Sequence, residues 1–224
     1  MRVIKPIEIV IPAGKTRLNA LLGLPSPVRG AVVFAHGSGS GRLSPRNNFV
    51  AQVLQSAGVA TLLVDLLDES EASDRRKVFD IDLLSERLSA NALWLQGRQE
   101  MKGFSIGYFG ASTGAAAALQ AAAKNPQGVA AIVSRGGRPD LAIDHLHLVQ
   151  SPTLLIVGGK DKAIIPFNEL AYKKLHCPKE MVIVPDATHL FEEPGALEKV
   201  AELARGWFLR HFLPSHDERR GDGN

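Results

Sequence analysis

The sequence lacks the features that mark secreted and membrane-spanning proteins. Its 224 residues include a single cysteine, Cys177, which excludes an internal disulfide framework. No apolar run is long enough to cross a bilayer. The first residues interrupt their apolar positions with Lys5, Pro6 and Glu8, so the apolar core of a secretory signal peptide is also missing. We therefore expect a cytoplasmic protein without a membrane partner.

A large charge of one sign is missing as well. The chain has 26 lysines and arginines against 23 aspartates and glutamates, a formal net charge of +3. Apart from residues 75–77 and 219–220 the basic residues are scattered, without an aromatic surface for stacking on bases, so we expect no nucleic-acid partner. The length and the hydrophobic content of 45% favour one domain. We assign it to residues 1–213, followed by a polar tail at 214–224.

What the sequence does contain is a regular alternation of apolar strands and amphipathic helices. Alternating apolar positions within residues 7–24 predict an antiparallel hairpin, and continuous apolar runs after it predict strands covered on both faces. These later strands are predicted at residues 30–36, 60–65, 105–111, 128–134, 153–159 and 181–185. Helices are predicted at residues 45–58, 79–101, 168–175 and 197–212, and directly after Ser112. The order predicts an α/β fold with a mostly parallel, doubly wound sheet of about eight strands.

Two connecting segments indicate how open the ligand site of such a sheet is. Residues 135–152 leave no room for an inserted cap domain. Residues 66–78 form a polar excursion at the carboxyl end of the 60–65 strand, where doubly wound sheets bind their ligands. We predict that this excursion is an exposed lid and that Leu67 contacts the substrate.

The strongest motif is Gly110-Ala-Ser112-Thr-Gly114, between an apolar strand and an alanine-rich helix. Gly-x-Ser-x-Gly at a strand-to-helix turn is the nucleophile-elbow pattern, in which a strained serine presents its hydroxyl above the sheet. Close packing of the turn against strand and helix excludes side chains at both glycine positions. The following helix also points its N-terminus at the same spot, where it stabilises negative charge.

Asp161 and His189 follow two later predicted strands, so the chain order is Ser112, Asp161, His189. This is the order of the α/β-hydrolases, and the sheet would bring the three together at its carboxyl edge. His189 would take the serine proton, and Asp161 would orient the imidazole. The alternatives are that Asp161 is a turn aspartate, with Asp186 as its nearest rival, and that His189 begins a helix.

Acyl transfer also requires N–H donors for the oxyanion. The residue after the nucleophile supplies one, here Thr113, and the loop after the 30–36 strand supplies the other. We predict Ser38 as the second donor, with Gly37 as the alternative if the loop turns differently. His36 anchors this loop and is also a candidate substrate contact.

Two other kinds of site, a dinucleotide site and a metal site, would explain fewer of these residues than a hydrolase site does. The loop at residues 36–41 could instead hold a dinucleotide, with Asp65 on the ribose, but it lacks the third small residue of that fingerprint. His145 and His147 lack the acidic partners of a metal site. We therefore expect neither a metal nor another cofactor.

The whole chain resembles the dienelactone-hydrolase-like branch of the α/β-hydrolases. The resemblance lies in four motifs, Ala35-His-Gly-Ser-Gly39, Gly110-Ala-Ser-Thr-Gly114, Ile156-Val-Gly-Gly-x-Asp161 and Ala187-Thr-His189-Leu-Phe-Glu-Glu193. It is nearest to bacterial hydrolase domains that are sometimes fused to a phosphoribosyltransferase. The family implies hydrolysis of esters, lactones or thioesters by a Ser- or Cys-His-Asp triad without a cofactor. Dienelactone hydrolase itself uses a cysteine nucleophile, whereas this chain has Ser112.

For the substrate, the sequence offers two arginines after the strand next to the elbow. Arg135 and Arg138 could pair a substrate carboxylate, or they could be surface residues of a glycine-rich turn. We expect a small-molecule ester or lactone as the partner, and a monomer or homodimer. The alternative function is a non-catalytic ligand-binding protein on a hydrolase scaffold.

Overall fold

The computed structural model describes residues 4–212, and the tail predicted at 214–224 lies outside them. Eight strands form one sheet in the order β1-β2-β4-β3-β5-β6-β7-β8. Their bounds are β1 Ile7–Ala13, β2 Thr16–Gly23, β3 Gly30–Ala35, β4 Val59–Val64, β5 Ile106–Ala111, β6 Ala131–Arg135, β7 Thr153–Gly158 and β8 Lys179–Val184. β3 to β8 run parallel, and the β1–β2 hairpin joins them through an antiparallel pairing of β2 with β4. The predicted α/β architecture and its hairpin are therefore confirmed.

Helices cover both faces of the sheet. They are α1 Pro45–Ser56, α2 Glu69–Ala72, α3 Arg75–Val78, α4 Ile81–Gln96, α5 Thr113–Lys124, α6 Ile165–Lys174 and α7 Ala196–His211, with 3₁₀ helices at Gln99–Met101 and Pro139–Leu148. α1 and α7 pack together on one face, while α4, α5, α6 and the longer 3₁₀ helix cover the other. None of the helices within residues 4–212 has the length and apolarity needed to span a membrane.

The predicted burial holds best for the central strands. Every residue of β3, β4, β5, β6 and β7 is buried, which explains their uninterrupted apolar character. The edge strand β1 differs from the expectation, because Ile11 is buried but Ile7 is 57% exposed. β1 is an edge strand that pairs only with β2.

Residues 66–78 form α2 and α3 and are fastened to the body of the protein. Asp68 caps α2 and accepts a hydrogen bond from Thr16 Oγ1 at 2.6 Å. Glu71 forms a largely buried ion pair with Arg87 of α4. The helix predicted at 79–101 ends earlier, at Gln96, where Gly97 caps it before the shorter 3₁₀ helix. No cap domain is inserted between β6 and β7, as predicted.

Candidate active site

Ser112 lies alone between the last residue of β5 and the first residue of α5. Its φ of 51° and ψ of −122° are strained for a residue with a side chain. Two hydrogen bonds join this turn to residues 135–138, since Ser112 N–H donates to the Arg135 carbonyl at 3.2 Å and Arg138 N–H donates to the Ser112 carbonyl at 3.0 Å. A β-carbon at Gly110 would lie 2.5 Å from Ala115 Cα, and one at Gly114 would lie 2.2 Å from the Ala35 oxygen. The turn therefore requires both glycines.

Asp161 and His189 meet at the carboxyl edge of the sheet. His189 Nδ1 and Asp161 Oδ2 are 2.6 Å apart, and the Asp161 side chain is largely buried. The rival Asp186 instead pairs with Lys160 at 3.1 Å and is 82% exposed. The geometry favours Asp161 as the partner of His189, and it leaves Nε2 of the imidazole available for a proton from another group.

A glycine loop brings His189 beside the turn that carries Ser112. Gly136 follows Arg135, and a β-carbon there would lie 3.1 Å from the His189 carbonyl oxygen and 3.4 Å from Nδ1. Within residues 4–212 the Ser112 hydroxyl makes no hydrogen bond, so it is not bonded to His189 in this structure. Catalytic hydrogen bonds of this type are often long until substrate binds. The catalytic roles of the three residues remain predictions.

The predicted oxyanion donors adjoin one another. Ser38 N–H donates to Thr113 Oγ1 at 3.0 Å, so the predicted donor already has a partner. Gly37 packs directly on the nucleophile, because a β-carbon at Gly37 would lie 2.9 Å from Ser112 Cβ and 3.6 Å from its Oγ. In the described part of the chain, the N–H groups of Gly37 and Thr113 have no hydrogen-bond partner. This arrangement favours the alternative donor, Gly37, over Ser38.

His36 fastens the loop after β3 through both ring nitrogens. Nδ1 lies 2.9 Å from the Gly37 oxygen, and Nε2 lies 3.0 Å from the amide nitrogen of Leu66. Since the carbonyl can only accept and the amide can only donate, the proton resides on Nδ1. Burial lowers the pKa of His36, against a smaller raising effect of the Gly37 carbonyl and Asp65. A neutral His36 with both nitrogens occupied fits the predicted anchoring role.

A cavity of about 680 Å³ opens beside these donors. Ser38 and Thr113 lie on its wall, and Leu67 of the predicted lid contributes a buried side chain. Arg42 and Asp65 also line it and form an ion pair at 2.5 Å, while the Arg42 N–H donates to Asp65 at 2.6 Å. Asp65 is thus engaged by Arg42 of the loop after β3, which disfavours the ribose contact of the dinucleotide alternative. Among the residues described, no group of three or more His, Cys, Asp or Glu side chains could hold a metal ion.

The two arginines considered for substrate binding have different surroundings. Arg138 is held by Asp140 through two hydrogen bonds of 2.9 and 2.7 Å, so its guanidinium is occupied. Arg135 is 7% exposed, and its Nε is buried without a partner. Burial and, to a smaller extent, the charge of Arg46 lower the pKa of Arg135 to about 10. Sequence reasoning missed Arg46, because nothing in the pattern of α1 distinguishes it from a surface arginine.

Comparisons with known proteins agree with this architecture. A sequence profile of the Dienelactone hydrolase family matches residues 19–211. A crystal structure of dienelactone hydrolase from Anabaena variabilis has 49% identical residues and a TM-score of 0.91, with 95% of this chain and 100% of that chain covered. Est1E from Butyrivibrio proteoclasticus shares the fold at 17% identity and a TM-score of 0.76, with 91% of this chain and 98% of that chain covered.

Curated sequences add longer relatives. Two Mycobacterium tuberculosis proteins, named provisionally as phosphoribosyl transferases in strains CDC 1551 and H37Rv, are 52% identical to this chain over 205 residues. The aligned region covers 92% of this chain and 46% of each relative. The chain therefore spans about half the length of these relatives.

Proposed function

The chain belongs to the dienelactone hydrolase family, a membership that supports a hydrolase function, and on that premise we propose that it cleaves carboxylic esters, lactones or thioesters through Ser112, His189 and Asp161. The observation that carries the proposal is the 2.6 Å contact between His189 Nδ1 and Asp161 Oδ2, beside the strained Ser112 turn. The proposed partner is a small-molecule ester or lactone. We further propose that the protein works in the cytoplasm, without a cofactor, as a monomer or homodimer.

In the proposed first step, Ser112 Oγ attacks the carbonyl carbon of the substrate while His189 Nε2 takes the hydroxyl proton. The tetrahedral intermediate collapses, the bond to the leaving oxygen or sulfur breaks, and His189 returns the proton to the leaving group. Asp161 accepts the Nδ1–H hydrogen bond, which keeps Nε2 available as a base and stabilises the imidazolium. The product is an acyl group esterified to Ser112.

In the second step, water loses a proton to His189 and attacks the acyl carbon. The bond from this carbon to Ser112 Oγ then breaks while His189 returns the proton to Oγ, which releases the carboxylic acid and restores the Ser112 hydroxyl. We assign the oxyanion site of both steps to the N–H groups of Thr113 and Gly37. Gly37 is assigned because it packs directly on Ser112. Ser38 is not assigned, because its N–H already donates a hydrogen bond to Thr113 Oγ1. Loss of one oxyanion donor typically costs about 10²- to 10³-fold in rate.

The test is hydrolysis of p-nitrophenyl acetate by Ser112→Ala. We expect kcat to fall by at least about 10³-fold, because the nucleophile is lost while the fold is kept. Ser56→Ala is the matched control, since Ser56 is exposed at the end of α1 and its hydroxyl donates to the Val53 carbonyl. Undiminished hydrolysis by Ser112→Ala would contradict the mechanism.

A second candidate function, ligand binding without catalysis, takes its support from the Ser112 hydroxyl, which has no hydrogen bond to His189 in the described residues. A serine-directed fluorophosphonate probe separates the two. An enzyme with an activated nucleophile is labelled at Ser112, and prior substitution Ser112→Ala abolishes the labelling. A purely binding protein leaves the probe unreacted at this residue.

A further inference from the structure

Asn168 of α6 is a polar side chain that lies entirely inside the protein. It is 0% exposed, and its Nδ2 donates to the carbonyl oxygens of Gly137 and Ile164, each at 3.0 Å. Its Oδ1 is buried without a hydrogen-bond partner in the described part of the chain. Leaving a buried polar atom unsatisfied costs about 1 to 3 kcal/mol. What this side chain contributes therefore lies in its two donated bonds, and the bond to Gly137 is the one that leaves α6.

The Gly137 carbonyl belongs to the turn after β6, and this turn supports Ser112. Ser112 N–H donates to the Arg135 carbonyl at 3.2 Å, and Arg138 N–H donates to the Ser112 carbonyl at 3.0 Å. Within the residues that the structure describes, the amide of Asn168 is the one group that donates to the Gly137 carbonyl. The position of the turn after β6, and with it the position of Ser112, therefore depends on this amide.

The turn after β6 also adjoins the other two proposed catalytic residues. Gly136 precedes Gly137, and a β-carbon at Gly136 would lie 3.1 Å from the His189 carbonyl oxygen. Gly136 N–H donates at 2.8 Å to the carbonyl of Ile156 in β7, the strand that leads to Asp161. A shift of this turn therefore changes how Ser112 lies relative to the imidazole and the carboxylate.

On its other side, Asn168 is joined to the loop that carries Asp161. The Asp161 carbonyl accepts a hydrogen bond from Ile164 N–H at 3.0 Å, just before α6 begins. The Ile164 carbonyl in turn accepts the Asn168 backbone N–H at 3.2 Å as well as Nδ2. The carboxamide of Asn168 thus connects the backbone of Asp161, through one helical turn, with the Gly137 carbonyl beside Ser112.

We propose that Asn168 is a positioning residue, which keeps the turn beside Ser112 in place relative to the other two proposed catalytic groups. The inference rests on the proposed hydrolysis, to which it adds a residue that touches no reacting atom. Its effect follows from the steep dependence of rate on alignment, since a displacement of about 1 Å costs about 10²-fold. An amide suits the role, because its NH₂ group carries two N–H donors, one for each carbonyl.

The kinetic test is Asn168→Leu, which nearly keeps the volume of the side chain and removes both donated bonds. On p-nitrophenyl acetate, kcat and kcat/KM should fall together by about 10-fold, the effect of a displacement of about half an ångström. KM should change by less than about twofold, because the walls of the cavity are kept. Asn168→Ser decides if Asn168→Leu does not fold. Its shorter hydroxyl can bond the Ile164 carbonyl of its own helix but does not reach Gly137, so kcat should fall in the same way.

Asn91→Leu is the matched control. Asn91 is also 0% exposed within a helix, α4, its Nδ2 donates to the carbonyl of Arg87 four residues earlier at 2.7 Å, and its Oδ1 is also buried without a partner in the described residues. Its amide makes no bond to the turn after β6. Both leucine variants should lose stability, and only Asn168→Leu should lose kcat. An unchanged kcat in Asn168→Leu, or an equal loss in both variants, would overturn the proposal.

Amide hydrogen exchange gives a readout that needs no turnover and therefore still decides if the unaltered protein does not hydrolyse the ester. The N–H groups of Ser112, Gly136 and Arg138 are all hydrogen-bonded at the turn after β6. Relative to amides of the central strands, these three should exchange at least about 10-fold faster in Asn168→Leu, because the turn opens locally. They should keep their rates in Asn91→Leu.

The two readouts separate the failure of the positioning role from the failure of the hydrolysis. Equal exchange at the three amides in Asn168→Leu and Asn91→Leu would overturn the positioning role, whether or not the protein hydrolyses the ester. Faster exchange in Asn168→Leu alone, in a protein without esterase activity, would contradict the proposed hydrolysis and support the hold of Asn168 on the turn.

Discussion

Adding one methyl group at Gly136 should disturb catalysis through the position of His189. Gly136 has a φ of +51°, and a β-carbon there would lie 3.1 Å from the His189 carbonyl oxygen and 3.4 Å from Nδ1. Both contacts are tighter than an unstrained carbon contact of about 3.5 to 4 Å. In Gly136→Ala, the segment that carries His189 must therefore retreat from residue 136 by a few tenths of an ångström, which changes the position of His189 relative to Ser112.

The magnitude follows from how steeply rate depends on alignment. A misplacement of about 1 Å costs about 10²-fold in rate, so a few tenths of an ångström should lower kcat by about 3- to 10-fold. KM should change less, because the methyl group meets His189 and Phe191 and lies away from the walls of the cavity. The assay is steady-state hydrolysis of a p-nitrophenyl ester, with thermal unfolding measured on the same samples.

Gly103→Ala supplies the matched control. Gly103 also has a positive φ, +82°, but a β-carbon there would meet nothing within 4 Å, and it lies before β5, away from the carboxyl edge. Both variants should lose about 1 to 2 kcal/mol of stability from left-handed strain. Only Gly136→Ala should lose kcat. Equal kcat values in the two variants would refute the argument that Gly136 positions His189.

Two further predictions concern single carboxyl groups. Asp161→Asn should lower kcat on the same ester by about 10³- to 10⁴-fold, because the amide favours the wrong tautomer of His189; a loss below tenfold would exclude Asp161 as the orienting residue. Hydrogen bonds from Arg87 hold the pKa of Glu71 at about 2, below its ordinary 4.5, so the pair stabilises the fold at higher pH and loses this effect as pH falls from 4.5 towards 2. The difference in Tm between the unaltered protein and Glu71→Gln should therefore be constant above pH 5 and narrow below it, and a constant difference down to pH 2 would contradict the linkage.

Much of the fold follows from local sequence patterns, because the central strands are covered on both faces and must be apolar throughout. The candidate site residues could be located for a related reason. Ser112, Asp161 and His189 each come just after an apolar strand, and the carboxyl ends of parallel strands share one edge. The antiparallel pairing of β2 with β4 could not be predicted in this way, since it depends on contacts between segments distant in the chain.

Contacts between side chains account for the details that the sequence left open. The choice between Gly37 and Ser38 depends on the hydroxyl of Thr113, which takes the Ser38 N–H and belongs to another element. The sequence of residues 66–78 shows only that the segment is polar, and it does not predict two short helices held against the protein. The ion pair of Glu71 with Arg87 of α4 holds them there. No periodicity in the sequence encodes such pairings.

The distribution of backbone strain supports function at this edge independently of any likeness to known proteins. Within residues 4–212, the non-glycine residues with positive φ are Ser112, Asp186 and Phe191. One is the proposed nucleophile, and the other two flank His189 in its loop. Each such conformation costs about 1 to 3 kcal/mol and persists only where surrounding contacts enforce it. The unpaired charge of Arg135 approaches the Phe191 ring of the same loop. The strained backbone conformations and the buried charge, all of which lower stability, therefore lie in or beside the two segments that carry the proposed catalytic residues.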